Sequence, residues 1–380
     1  MRDFRVTVDE AVLVDLRDRL GRTRWPDQIV GSGWAYGTDL AYLQELCAYW
    51  REDFDWRTAE ARLNAWPQVL ATVQGQQLHA IHAVSPHPGA LPLLLVHGWP
   101  GSVVEFLKVI GPLTDPPAYG GDAADAVTVV CASLPGYIWS GPTTEPGWDA
   151  RRTAGALVEL MNQLGYDRFG YQGGDWGGVI GSHLGYDHPE ALIGLHLNFV
   201  MAPAPTDPAA RAQLSEKEAA WLTELSTFQR RESGYSAIQG TRPQTLAYAL
   251  NDSPAGLAGW IVEKFRAWSD CDGDVENAFT RDELLTNITA YWVTATIGSS
   301  TRMYYESRKA RTAGPPPGPV RVPTGAAIFP REILRPPRAW VEACYDLRSY
   351  TELPRGGHFA AMEQPELFVD GVRSFFRGLR

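Results

Sequence analysis

The sequence predicts an α/β chain in which a mostly parallel central sheet carries helices on both faces and is interrupted by a helical cap. Three observations predict it. Leu91–Val96, Val127–Ala132 and Leu192–Leu197 are short, continuous apolar runs, the pattern of strands covered on both faces. These runs alternate with segments of helical periodicity, and strands alternating with helices pair in parallel. From about residue 202 to 319 the alternation stops and the pattern becomes helical, rich in Trp, Phe and Tyr.

In chain order, residues 1–85 read as a helical, Trp-rich segment wrapping the core, with helices over 8–20 and 40–54. Residues 77–84 alternate as a half-buried strand does. Residues 86–201 form the first half of the core. Besides the three apolar strands, they hold helical patterns at 103–110, 149–164 and 179–185 and a strand within 164–171. Residues 202–319 are the cap, where Asp252, Ser253 and Pro254 open a helix with a capping side chain and a first-turn proline. The Gly/Pro run at 314–319 reads as a stiff hinge. Residues 320–380 complete the core with strands at 324–329 and 347–353 and a last helix over 366–379.

Composition narrows the function. At 380 residues the chain can bury a large core, and 44% hydrophobic with 21% charged residues is the balance of a soluble globular protein. A formal charge of −10 and the lack of a basic run argue against a nucleic-acid partner. Cys47, Cys131, Cys271 and Cys344 are far apart with no metal-ligand or CxxC spacing, so neither a metal site nor a disulfide framework is expected. That usage, an N-terminus without an apolar leader and no bilayer-length apolar stretch lead us to expect a cytoplasmic protein without a membrane anchor. The oligomeric state stays open, a homo-oligomer included.

The chemistry is carried by Gly173-Gly174-Asp175-Trp176-Gly177-Gly178, a strand-to-helix elbow with a carboxylate where many such elbows hold serine. Small flanking residues are required because the backbone turns too tightly for side chains there. A serine would attack acyl carbons; a carboxylate displaces a leaving group from a saturated carbon and leaves an alkyl ester on the enzyme. The expected substrates therefore carry an electrophilic sp3 carbon, as epoxides and alkyl halides do. Strand then turn then helix makes this an α/β-hydrolase sheet. In that chain order the base follows the last strand, which nominates His358 in Arg355-Gly356-Gly357-His358-Phe359. Glu332, after the strand ending at Phe329, is the carboxylate expected to orient it, with Asp346 and Glu352 as alternatives. The string His97-Gly98-Trp99-Pro100-Gly101-Ser102 follows the first parallel strand, and the amides of Trp99 and Trp176 are the expected oxyanion donors.

Taken together, these strings resemble the microsomal-type epoxide hydrolases over nearly the whole chain. The family's His-Gly-Trp-Pro-Gly stands at 97–101 and its Gly-Gly-Asp-Trp-Gly at 173–177. The resemblance adds two cap tyrosines that would hydrogen-bond the opening ring: Tyr235 in Arg231-Glu232-Ser233-Gly234-Tyr235, and Tyr304 in Ser299-Ser300-Thr301-Arg302-Met303-Tyr304, with Tyr305 as the rival. It implies an epoxide and water as partners, no cofactor and no metal, and a vicinal diol as product. Trp221, Phe228, Trp260, Phe265, Trp268 and Trp292 suggest an apolar or aromatic pocket, most of them serving as core. Two alternatives share the fold: a haloalkane or haloacid dehalogenase, and a catalytically silent ligand-binding hydrolase.

Overall fold

The computed structural model describes residues 1–205 and 214–380. Among the described residues nine strands form one sheet: β1 (Arg2–Phe4), β2 (Gln68–Val73), β3 (Gln76–Ala83), β4 (Leu91–Val96), β5 (Val127–Ala132), β6 (Phe169–Gly173), β7 (Leu192–Leu197), β8 (Val320–Ile328) and β9 (Tyr345–Glu352). Their order across the sheet is β1-β2-β3-β5-β4-β6-β7-β8-β9. β5, β4, β6, β7, β8 and β9 run parallel, whereas β1, β2 and β3 add on antiparallel. The α/β-hydrolase architecture expected from the sequence is the one observed.

The apolar runs explain the parallel part. Every residue of β5 and β6 is buried, as is all of β4 except Pro92, because helices cover both faces. The helix Ala150–Gln163 turns Ala154, Leu157, Leu160 and Met161 inward and is capped by Asp149, which accepts from the Arg152 amide at 2.8 Å. The helix Asp175–Asp187 packs closer still. A Cβ on Gly177 would lie 2.1 Å from the Val96 carbonyl oxygen, so glycine alone lets this helix start against the end of β4.

The cap holds the helices Glu216–Arg231, Gly234–Gln239, Pro243–Leu250, Pro254–Trp268, Arg281–Thr294 and Ile297–Ala310; its opening at 206–213 lies outside the described residues. Ser253 caps the fourth of these, with Pro254 in its first turn. Two helices start with reciprocal capping boxes, Ser215 with Glu218 and Thr280 with Glu283. The cap is tied to the loop after β4. Asn287 donates to the Pro100 carbonyl at 2.8 Å and accepts from Ser102 at 2.7 Å, and the Tyr291 hydroxyl donates to the Gly101 carbonyl at 2.6 Å.

Three expectations need adjusting. Residues 1–85 are not helical throughout: β1, β2 and β3 lie within them and form one end of the sheet, so a boundary at 85 cuts between paired strands. β2 escaped notice because Gln68–Val73 is buried at five of six positions and shows no alternation. The helices Glu10–Gly21, Leu40–Glu52 and Trp56–Leu63 do wrap, but partly around the cap: Thr38 donates to the Gly259 carbonyl and Tyr49 to Asp282. Lastly, the helix expected at 103–110 is a single 3-10 turn, Val103–Phe106, followed by the short helix Ile110–Thr114. Substituting Gly177→Ala should destabilise the fold by about 1–3 kcal/mol through overpacking at Val96, a loss read by urea unfolding.

Candidate active site

β4 is flanked by β5 on one side and β6 on the other, so the chain reverses its direction of travel across the sheet there. A crevice opens outside the carboxyl ends of strands at such a reversal. The loop after β4 presents Trp99 and the turn after β6 presents Asp175 to that crevice. Asp175 has φ +49°, in the left-handed region that side chains seldom adopt, and begins the helix directly after Gly174. Its carboxylate lies over Gly98, where a Cβ would stand 2.1 Å from Asp175 Oδ1.

Three side chains then line up. His358 Nε2 is 3.2 Å from Asp175 Oδ2, and His358 Nδ1 is 2.7 Å from Glu332 Oε1. Glu332 is 2% exposed and His358 5%, so this pairing takes place in the interior. Burial by itself would depress the ring's pKa, but the charge of Glu332, the hydrogen bonds to both carboxylates and the charge of Asp175 outweigh it and lift the pKa well above 6.5. The other Asp175 oxygen, Oδ1, accepts from the Trp99 amide at 2.8 Å. Trp176 follows Asp175 in the first turn of its helix, where amides have no acceptor within the helix. Of the rival acids, Asp346 pairs with Arg348 and Glu352 with Lys217, both toward solvent.

Opposite the carboxylate stand the two cap tyrosines. Tyr235 and Tyr304 have ring centres 6.0 Å apart; Tyr235 stacks on Trp99 at 5.4 Å and 10°, and Tyr304 meets Trp176 edge-on at 4.9 Å. Burial, then the nearby Asp175 charge, pushes the Tyr235 phenol far up; burial, then Tyr235 and Asp175, does the same to Tyr304. Tyr305 is 38% exposed, while Tyr304 is buried and lines the cavity beside Asp175. A cavity of about 270 Å³ joins Asp175, Trp176, Tyr235 and Tyr304 to Val179, Phe199 and Met201. A larger hollow of about 500 Å³, between residues 23–43 and 253–259, touches none of these side chains. Among the described residues no three His, Cys, Asp or Glu side chains are grouped to hold a metal ion, and no helix is long and apolar enough to cross a membrane.

The epoxide hydrolase N-terminus family matches residues 1–106, and the alpha/beta hydrolase fold family matches 92–234. The chain is 38% identical over 409 residues to epoxide hydrolase 1 of Oryctolagus cuniculus, covering 99% of this chain and 88% of that one. The chain belongs to the epoxide hydrolase family. It is also 47% identical over 378 residues to a Stigmatella aurantiaca (strain DW4/3-1) chain provisionally named an epoxide hydrolase, covering 99% and 85% of the two. The juvenile hormone epoxide hydrolase of the silkworm Bombyx mori superposes with a TM-score of 0.91 at 31% identity, covering all of this chain and 94% of that one. With this epoxide hydrolase assignment, the dehalogenase alternative is set aside.

Of the seven residues nominated from the sequence, Asp175, Trp176, Tyr235 and Tyr304 line the 270 Å³ cavity of this epoxide hydrolase, Trp99 and His358 adjoin Asp175 in a smaller one, and Glu332 reaches His358 on its other nitrogen. The pocket walls are another matter. Among the described residues, none of the six cap aromatics nominated for the pocket lines the 270 Å³ cavity; Phe265 and Trp268 are fully buried in the core. Phe199 and Met201 supply apolar wall instead, and the signal for them was their place just beyond β7, the strand beside the elbow. His97 is also buried, its pKa lowered to about 4 by burial. As a neutral ring it donates from Nδ1 to the Gly98 carbonyl and accepts the Leu134 amide at Nε2, bracing the Trp99 loop. Glu105 was missed. It shares a cavity of about 20 Å³ with Asp175 and His358, and burial pushes its carboxyl up to about 8, which keeps a third negative charge out of the site at neutral pH. Because the folded-state pKa of His358 is raised, its contribution to stability is complete below 6.5 and is lost as pH rises through the raised value. Asp175→Asn should move both the NMR titration of the His358 ring and that alkaline loss of stability to lower pH. An unmoved titration would show that the aspartate does not hold the proton there.

Proposed function

We propose that this epoxide hydrolase opens an apolar or aromatic epoxide by covalent catalysis on Asp175. What carries the reading is the placement of His358 between Asp175 Oδ2 and Glu332 Oε1, with two phenols across the cavity. Asp175 Oδ1 is held by the Trp99 amide, and Oδ2, whose other neighbour is His358 Nε2, attacks an epoxide carbon as it turns from that ring. The carbon–oxygen bond breaks as the Oδ2–carbon bond forms, and a proton from the Tyr235–Tyr304 pair meets the released oxygen, giving a hydroxyalkyl ester. The apolar walls of Val179, Phe199 and Met201 suit a small hydrocarbon substituent, with Arg308 also lining the cavity.

Ester formation also changes His358. In the resting site Asp175 and Glu332 together favour the imidazolium, a form that cannot act as a base. Once Asp175 is esterified, one of the two charges is gone and the ring's pKa falls; its proton passes to the phenolate left by ring opening, and the neutral ring is then free to take a proton from water. Glu332 fixes the ring's orientation and stabilises the imidazolium that re-forms. Water adds to the ester carbonyl carbon as His358 takes one of its protons, and the Trp99 and Trp176 amides hold the oxyanion; the acyl–oxygen bond then breaks, the imidazolium protonates the departing diol oxygen, and the carboxyl proton returns to His358. No cofactor takes part in this scheme.

Two experiments test it. A single turnover in 18O-labelled water should release an unlabelled first diol, because its new oxygen comes from Asp175; full labelling would mean direct attack by water. His358→Ala should block the second half and let a substrate-mass adduct accumulate on the Asp175 peptide, with turnover reduced by about 10²-fold or more. Intact-mass spectrometry without such an adduct would remove Asp175 from the role given to it.

A further inference from the structure

Only four of the 34 basic residues are lysines, at 108, 217, 264 and 309. Lys108 and Lys217 reach carboxylates on other elements, Glu283 and Glu352. Lys264 is different: it is 6% exposed, and its ion-pair partner is Glu263, the residue before it on the helix Pro254–Trp268. Its ammonium lies 4.8 Å from the centre of the Tyr235 ring and 5.9 Å from that of Trp268. A buried cation is expensive to maintain, and an arginine is the commoner base in this chain. The compact ammonium placed against a phenol needs a reason.

Chemistry supplies one. A cation within about 6 Å of a ring centre is attracted by the ring's quadrupole, more strongly when both are out of water. The same positive field draws electron density from the ring and its hydroxyl, which makes the O–H a better donor. Tyr235 is otherwise handicapped as a donor: burial, the Asp175 charge and the charges of Glu263 and Glu332 hold its proton tightly, against which the hydrogen bond with Tyr304 works. Its ring is also fixed, stacked on Trp99 and packed at 5.1 Å against Trp268.

We propose that Lys264 is a positioning and polarising residue for ring opening, its ammonium holding the Tyr235 ring and strengthening the hydrogen bond that Tyr235 gives to the epoxide oxygen as charge develops. The inference rests on the reading of Tyr235 as a ring-opening donor. It assigns Lys264 to the first chemical half only, since ester hydrolysis is driven from the Glu332–His358 side.

The test separates the two halves by rapid-quench single turnover on styrene oxide, following the Asp175 adduct by mass spectrometry. Lys264→Met should slow adduct formation about tenfold, the scale of a desolvated cation–π contact, and leave adduct decay unchanged. Lys264→Gln, which keeps a polar partner for Glu263, should behave alike and serves if the methionine variant does not fold. In a Tyr235→Phe background either substitution should slow formation no further, because the lysine acts through the phenol. Wild-type adduct formation in Lys264→Met, or an equal slowing with and without the Tyr235 hydroxyl, would overturn the inference. Absence of any adduct in the unaltered enzyme would instead sink the covalent scheme itself.

Discussion

Asp175 and Glu332 bring two negative charges to opposite nitrogens of one buried ring, Nε2 and Nδ1 of His358. Burial alone would drive the proton off this ring, and the two carboxylates reverse that. The surroundings respect this balance: Glu105 stays largely protonated nearby, and His97 is kept neutral by burial. Removing a single charge from such a set shifts the rest, which is why forming an ester at Asp175 would also change the acid–base state of His358.

Much of this arrangement was legible in the sequence because backbone geometry leaves marks on residue type. The run of glycines around Asp175 is demanded by contacts such as that between Gly177 and Val96, where no side chain fits. Chain order then located His358 and Glu332, since the fold delivers them from loops after late strands. The Trp99 amide could be named because a loop after β4 must end beside the elbow after β6, its neighbour in the sheet. The tyrosines came from family strings rather than from physics, and Tyr304 was separable from Tyr305 only by burial.

What the sequence hid depended on contacts between distant segments. β1 and β2 are too short or too evenly buried to show a period; β2 becomes a strand because β3 offers an edge, and β1 because β2 then does. Cap aromatics were natural candidates for a pocket, yet Phe265 stacks on Phe359 at 4.0 Å and belongs to the core. Phe199 and Met201 carry no motif and are found only by following β7 to its end. Lys264 likewise reads as an ordinary helix-surface base until the fold turns it inward.

The two halves of the cap are attached with unequal firmness. Leu284 to Tyr291 are all buried, and Asn287 and Tyr291 are bonded to the very loop that carries Trp99. Along Glu216–Arg231, by contrast, Trp221 alone is buried. Tyr304 belongs to the firm half and Tyr235 to a helix beside the loose one. Tyr235 is held by its ring contacts with Trp99 and Trp268 rather than by the helix beside it. Room for a bulkier or differently substituted ring is most cheaply found by resettling the peripheral helix Glu216–Arg231, while Asp175 and the Trp99 amide that holds it stay as they are.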